Sequence, residues 1–357
     1  MLDSALPASA MNCHLVVSDL LWPAMAGAAS SGELDLPALE LLIARGQRAV
    51  VAGGSTERWL GSSFGVCRDG DPALAPFSLR GEGDEPGGHG WLRADPVHLR
   101  LHADRIVLAD ASRLSITADE ADELIAALNA HFAHINIAFL APRSDRWYVR
   151  LEHAPSLRAT PTAEVAGRAI DACLPTGDEQ ALWRSIFNET QMLLHEHPCN
   201  QRREQRGELA VNSLWFWGAG TDSRPRADVR FDAVWSDDPA ARGLALACGV
   251  PARPLPQRYT EFIQSAAGAG FARDSRHLVI LPPVPGAAYG DAGTWREAVE
   301  RIERDWLAPL LAGTLAGAQS AITLHALGPH QGLQVNFSRA HRLRIWRRRK
   351  RFADYCA

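Results

Sequence analysis

Apolar residues recur along this chain in two periods, and their order predicts the architecture. His14–Val17 is a short apolar run leading into Ser18-Asp19-Leu20-Leu21-Trp22-Pro23, where Pro23 stops a strand. Leu36–Ala44 carries apolar residues at helical spacing with Gly46 behind it as a C-cap. Ala49–Ala52 then reads as a buried strand closed by Gly53-Gly54. Strand, helix and strand in succession predict an α/β unit built on a parallel sheet. The segment Arg80–Gly90 interrupts this pattern with five glycines and a proline, which reads as a surface loop at a domain boundary.

Beyond the loop the periods shift. Val97–Leu101 and Arg105–Leu108 predict a hairpin. Thr117 with Glu120 three residues on has the capping-box spacing, opening a helix to about His134 that buries Leu124, Leu128 and Phe132. Ile135–Leu140 and Trp147–Leu151 read as strands. A helix follows Thr176-Gly177-Asp178 and runs to about His195, before Pro198. Val211–Trp217 is a strand that Gly218 and Gly220 end. Then α/β alternation resumes, with strands at Phe231–Trp235, His277–Leu281 and Ala321–Leu324. Helices fall at Pro239–Cys248, Tyr259–Ala267 and Thr294–Leu311. The expectation is a split α/β domain, residues 1–80 and 221–357, with an α+β module, 81–220, inserted between its halves.

Composition narrows the class without naming a function. At about 150 residues per domain, 357 residues make roughly two domains. With a formal net charge of −4 the chain as a whole is no polycation built for nucleic acid. Six scattered cysteines with no Cys-x-x-Cys pair read as reduced thiols of a cytoplasmic protein. No run reaches the ~18 apolar residues a membrane helix needs. Residues 1–10 resemble no signal peptide and read either as a frayed arm or as an extension from an upstream start codon.

Three clusters carry candidate chemistry. In Asn188–Asn200, Asn188, Gln191 and His195 stand at i, i+3 and i+7, so they share a helix face. His195 and His197 lie roughly 200° apart around a helix and cannot chelate one metal there. In Trp91–Leu99, Arg93 and Asp95 are two apart on an extended segment. They point to the same side, either as an ion pair or as a guanidinium presented to a carboxylate or phosphate. The tail from Arg342 to Arg351 interleaves cations with Trp346, as a solvated arm or as a contact for nucleic acid or an anionic membrane surface.

Four ordered segments, Trp91–Leu99 (WLRADPVHL), Asn188–Asn200 (NETQMLLHEHPCN), Val211–Gly220 (VNSLWFWGAG) and Leu343–Arg348 (LRIWRR), resemble the RpfE-type regulatory proteins. That family is in turn similar to the cofactor-independent phosphoglycerate mutases of the alkaline phosphatase superfamily. The resemblance implies an α+β cap inserted into an α/β metal-binding domain, with Asn212 and Gly218-Ala219-Gly220 where the cap ends. It also implies a metal-binding Asp after the first strand, a Ser or Thr nucleophile at a helix start, and late Asp and His ligands. Asp19, Ser55 or Thr56, Asp291 and His325 are what this chain offers at those places. Pro282–Asp291 carries no histidine, and a two-metal phosphoryl-transfer site needs several converging carboxylates and imidazoles.

The sequence therefore reads as a non-catalytic regulatory or partner-binding protein, a pseudoenzyme with no metal and no cofactor. Arg93, Asp95, Asn188, Gln191, His195 and Asn212 form its ligand set, for a small anionic molecule or a protein partner. The alternative is a phosphoglycerate-mutase-like or phosphatase enzyme with an atypical site at Asp19, Ser55 and His325.

Overall fold

Main-chain pairing follows most of the apolar runs. In chain order the strands are β1 (Asn12–Val17), β2 (Gln47–Ala52), β3 (Cys67–Arg68), β4 (Asp71–Pro72), β5 (Gly90–His102), β6 (Arg105–Ala109) and β7 (Ala138–Arg143). They continue as β8 (Arg146–Leu151), β9 (Ser213–Thr221), β10 (Ala233–Trp235), β11 (Ala252–Arg253), β12 (Arg276–Ile280), β13 (Ala321–Ala326) and β14 (Gln331–Ser338). The computed structural model describes residues 11–22, 34–68, 70–226, 230–272 and 274–355. The readings of Met1–Ala10, Pro23 and Cys356 fall outside the described residues. The chain divides into two units, Met1–Thr56 with Val229–Ala357, and Glu57–Asp228.

The first unit holds a seven-stranded sheet in the order β11-β10-β12-β1-β13-β14-β2. β11, β10, β12, β1 and β13 are parallel, with Val16 opposite both Ile280 and His325. β14 turns back antiparallel to β13, and β2 is antiparallel to β14. Strands near the middle alternate their side chains between two covered faces. Cys13, Leu15 and Val17 enter a core with Val279, Leu324, Leu39, Phe262, Trp295 and Leu310. The expectation for Ala49–Ala52 needs correction. β2 is an edge strand, not a buried one, and Val50 is 72% exposed.

The helices of this unit begin where local chemistry allows. Asp238 caps Pro239–Ala247 by accepting from the Ala241 amide, and Asp291 caps Ala292–Ile302 by accepting from the Thr294 amide. The long helix read from Thr294 to Leu311 is continuous only with a π turn, Glu303–Leu307, between Ala292–Ile302 and Ala308–Ala316. That turn has a packing role. The buried Glu303 carboxylate accepts from the Ala38 and Leu39 amides, at 2.6 and 3.1 Å. These are the first amides of the helix Pro37–Arg45, whose own cap position, Leu36, offers no side-chain acceptor.

The second unit is built on an antiparallel sheet in which the long β5 pairs with β6, β8 and β9. Thr117 and Glu120 close a capping box on the helix Ala118–Phe132. Trp183 and Phe187, on the helix Gln180–His195, pack on Phe216 and Trp215 of β9. β9 runs through Gly218 and Gly220 rather than ending there. A Cβ at Gly220 would stand 3.0 Å from the Ala73 side chain, so glycine permits a close approach of the two segments. The fold is the split α/β domain with an inserted α+β module.

Candidate active site

Parallel α/β sheets bind ligands beyond the carboxyl ends of their strands. At that edge of the first unit, main-chain bonds tie the loops together. Leu281 N donates to Val16 O (3.1 Å), Val284 N to Ser18 O (3.0 Å) and Leu327 N to Val17 O (2.9 Å). Leu21 N donates to Leu327 O (3.1 Å) and Gly54 N to Gly328 O (2.9 Å). Asp19, Ser55 and His325 each stand within two residues of one of these bonds, so the alternative catalytic set is gathered at one end of the sheet.

Each of the three is placed by a local device. Asp19 takes a left-handed backbone, φ 59°, which aspartate tolerates better than most residues and which recurs at functional sites. Its carbonyl accepts from the Trp295 indole at 2.8 Å. Ser55 is buried and precedes the helix Thr56–Ser63, with Thr56 buried beside it. Gly53 lets Ser55 reach this position, because a Cβ there would lie 2.3 Å from the His330 carbonyl carbon.

His325 is 8% exposed and stacks on His14, with ring centroids 5.8 Å apart. Burial first, and then the neighbouring His14, push its pKa down to about 3. Burial and Arg276 push that of His14 down to about 4. Both rings are therefore neutral at physiological pH. His14 is a residue the sequence reading passed over. A histidine in an apolar strand looks like core, and only the β1–β13 register brings it to His325.

A cavity of about 320 Å³ opens at the carboxyl ends of β10 and β12, lined by Asp237, Leu255, Val284, Arg301 and Trp306 among others. Asp237 also accepts from the Leu255 amide at 3.1 Å. Asp291, offered by the sequence as a late metal ligand, is the N-cap of Ala292–Ile302. Among the described residues no group of three or more His, Cys, Asp or Glu side chains is arranged to hold a metal ion. The described residues do not form the metal pair that the resemblance implies.

The residues expected as a ligand set all lie in the second unit, in different settings. Arg93 and Asp95 are buried and paired, Nη2 to Oδ1 at 2.6 Å. Asp95 Oδ2 also accepts from Thr162 Oγ1 and Trp217 Nε1, while Arg93 donates to Ser78 and lies over the Tyr148 and Trp217 rings. Asn212 holds both backbone groups of Leu99, accepting at 2.7 Å and donating at 2.8 Å. Gln191 donates to the Phe187 carbonyl. Asn188 and His195 are exposed on their helix. The structure thus joins Arg93 to Asp95 and leaves Asn188 and His195 facing solvent.

With this geometry in place, comparisons with known proteins discriminate between the two functional readings. Residues 91–200 match the family model of 2,3-bisphosphoglycerate-independent phosphoglycerate mutase. A mutase of that name from Methanosarcina mazei is 25% identical over 236 residues, 62% of this chain and 59% of that protein. Mutase 2 of Methanothermobacter thermautotrophicus is 29% identical over 252 residues, 63% of this chain and 62% of that one. The matched stretch therefore spans about three fifths of these relatives' length. The chain is similar to the cofactor-independent phosphoglycerate mutases. Among solved structures, the PH0037 protein of Pyrococcus horikoshii shares the fold, with a TM-score of 0.52, 14% identity, and 92% of this chain and 88% of that one covered.

These matches overturn two expectations. A non-catalytic regulatory protein, or pseudoenzyme, is contradicted by relatives that are named as mutases. The RpfE-type resemblance finds no support, whereas the mutase resemblance does. The absence of histidine from Pro282–Asp291 favours a pseudoenzyme, and the similarity to proteins named as mutases points the other way.

Proposed function

We propose that this chain is a phosphoglycerate-mutase-like enzyme that transfers a phosphoryl group on a small phosphorylated acid. The observation that carries the reading is its similarity to proteins named phosphoglycerate mutase over some three fifths of its length. The lacing of Asp19, Ser55 and His325 to one end of the sheet is consistent with it. In this reading Ser55, at the start of a helix, accepts the phosphoryl group, where the N-terminal end of the helix dipole favours the added negative charge. Asp19 takes the serine proton and hands it to the substrate oxygen that the departing phosphoryl group leaves behind; the reverse transfer to the neighbouring hydroxyl restores the free serine. His325 is a neutral hydrogen-bonding group that positions the serine, because its low pKa makes it a poor base. A cytoplasmic location belongs to the same reading and agrees with the free thiols of the five described cysteines.

The test is interconversion of 3- and 2-phosphoglycerate by the purified full chain, followed by phosphorus NMR with and without added Mn²⁺. Turnover is expected, together with a phosphorylated Ser55 peptide by mass spectrometry. Ser55→Ala is expected to lose both, with at least about a hundredfold drop in rate, typical of removing a covalent nucleophile. Absence of both isomerisation and ester hydrolysis under all of these conditions would sink the reading.

A further inference from the structure

The segment from Arg339 to Tyr355 is fastened to the first unit at several points. Arg45 Nη1 donates to the Arg342 carbonyl (2.9 Å), Arg344 Nη1 to the Arg45 carbonyl (3.3 Å) and Arg347 Nη1 to the Gly46 carbonyl (3.0 Å). Phe352 N donates to Glu40 Oε1, and the buried Phe352 ring stacks on Trp295. Between these anchors Leu343, Ile345 and Trp346 are 65%, 73% and 72% exposed. Seven of the ten residues from Arg342 to Arg351 are Arg or Lys, and no Asp or Glu lies between Asp305 and Asp354.

Three large apolar side chains in four positions, held out by an anchored backbone, are not the ordinary scatter of surface hydrophobics. Cations alone would suit any polyanion. The aliphatic Leu343 and Ile345 offer nothing to a phosphodiester backbone, but they suit the boundary between headgroups and acyl chains. There apolar tips insert while guanidinium and ammonium groups remain among lipid phosphates. We propose that residues 342–351 form a docking surface for an anionic lipid bilayer. Charge complementarity selects this occupant: a basic patch on a chain of net charge −4 directs one face of the unit toward an acidic leaflet. The contact is peripheral, since among the described residues no helix is long and apolar enough to cross a membrane.

Co-sedimentation of the full chain with vesicles tests this. Binding is expected to phosphatidylcholine mixed with phosphatidylglycerol, to weaken with salt, and to be absent from phosphatidylcholine alone. Arg348→Gln and Lys350→Gln should each weaken it about fivefold. The triple change Leu343→Ser, Ile345→Ser and Trp346→Ser should weaken it at least about tenfold, if each side chain buries apolar surface in the bilayer. Brominated lipid should quench tryptophan emission of the wild type measurably more than that of Trp346→Phe, a readout that does not need the triple variant to fold. Equal binding by wild type and a folded triple variant, or equal quenching of wild type and Trp346→Phe, overturns the proposal. So does indifference to anionic vesicles by a chain that binds single-stranded RNA or an acidic polypeptide. These outcomes are independent of whether the chain turns over phosphoglycerate.

Discussion

His14 and His325 stack across neighbouring strands, their planes 20° from parallel, and burial holds both in the neutral form. In the unfolded chain each imidazole takes up a proton near pH 6.5, whereas the folded sites resist until about pH 4 and about pH 3. Their contribution to stability is therefore complete above pH 6.5 and is lost progressively as the pH falls through 6 and 5. The urea midpoint should drop over that window. His325→Gln should flatten the drop by up to about 1.4 kcal/mol per pH unit below pH 6. An unchanged slope in the variant would show that His325 titrates normally.

Asp95 neutralises Arg93 in a buried setting where nearby donors also converge on its carboxylate. Asp95→Ala strands a buried guanidinium and should cost about 3–5 kcal/mol in chemical denaturation. Arg93→Met in the Asp95→Ala background should recover part of that loss. A single variant as stable as wild type would contradict the geometry.

Arg203 is fully buried, donating to Glu120 Oε2 at 2.5 Å and to the carbonyls of Leu209 and Leu114. Lysine keeps the charge but has no planar fork to reach three acceptors. Arg203→Lys is expected to lower stability by about 2–3 kcal/mol through unmet buried carbonyls, read from the shift in the denaturation midpoint. A shift within experimental error would mean that the fork is dispensable.

Glu303 supplies the cap that Leu36 cannot. Glu303→Ala leaves two helix amides without their acceptor and should cost about 2 kcal/mol. Glu303→Gln, with one acceptor oxygen left, should lose less. Hydrogen exchange at Ala38 and Leu39 should speed up in the alanine variant; protection equal to wild type would assign the cap elsewhere.

Legibility in the sequence tracked how local each determinant is. The capping box at Thr117 and Glu120 was readable because both partners lie within one turn. The first-unit strands β1, β10, β12 and β13 were readable because an apolar run suffices for a strand buried on both faces. β2 was misjudged because an apolar run at an edge looks the same as one in the middle. β14 alternates strictly from Leu333 to Ser338, a legible strand signal absent from the expectations above, and Pro96 conceals the length of β5. Asp19 and Ser55 were picked out through family resemblance. The partnership of His14 with His325 depends on strand order, which no local signal carries.

The central strand of the first unit comes from the beginning of the described chain and its two parallel neighbours from far downstream. During synthesis β1 must therefore wait, unpaired, until the ribosome has delivered β12 and then β13. The unit Glu57–Asp228, contiguous in sequence, emerges whole in the meantime and has every strand partner it needs. The slow, long-range loop closure falls on the very sheet whose edge gathers Asp19, Ser55 and His325. Premature termination downstream of Asp228 but before β12 would leave a folded middle flanked by a sticky apolar strand, a fragment prone to aggregate rather than to act.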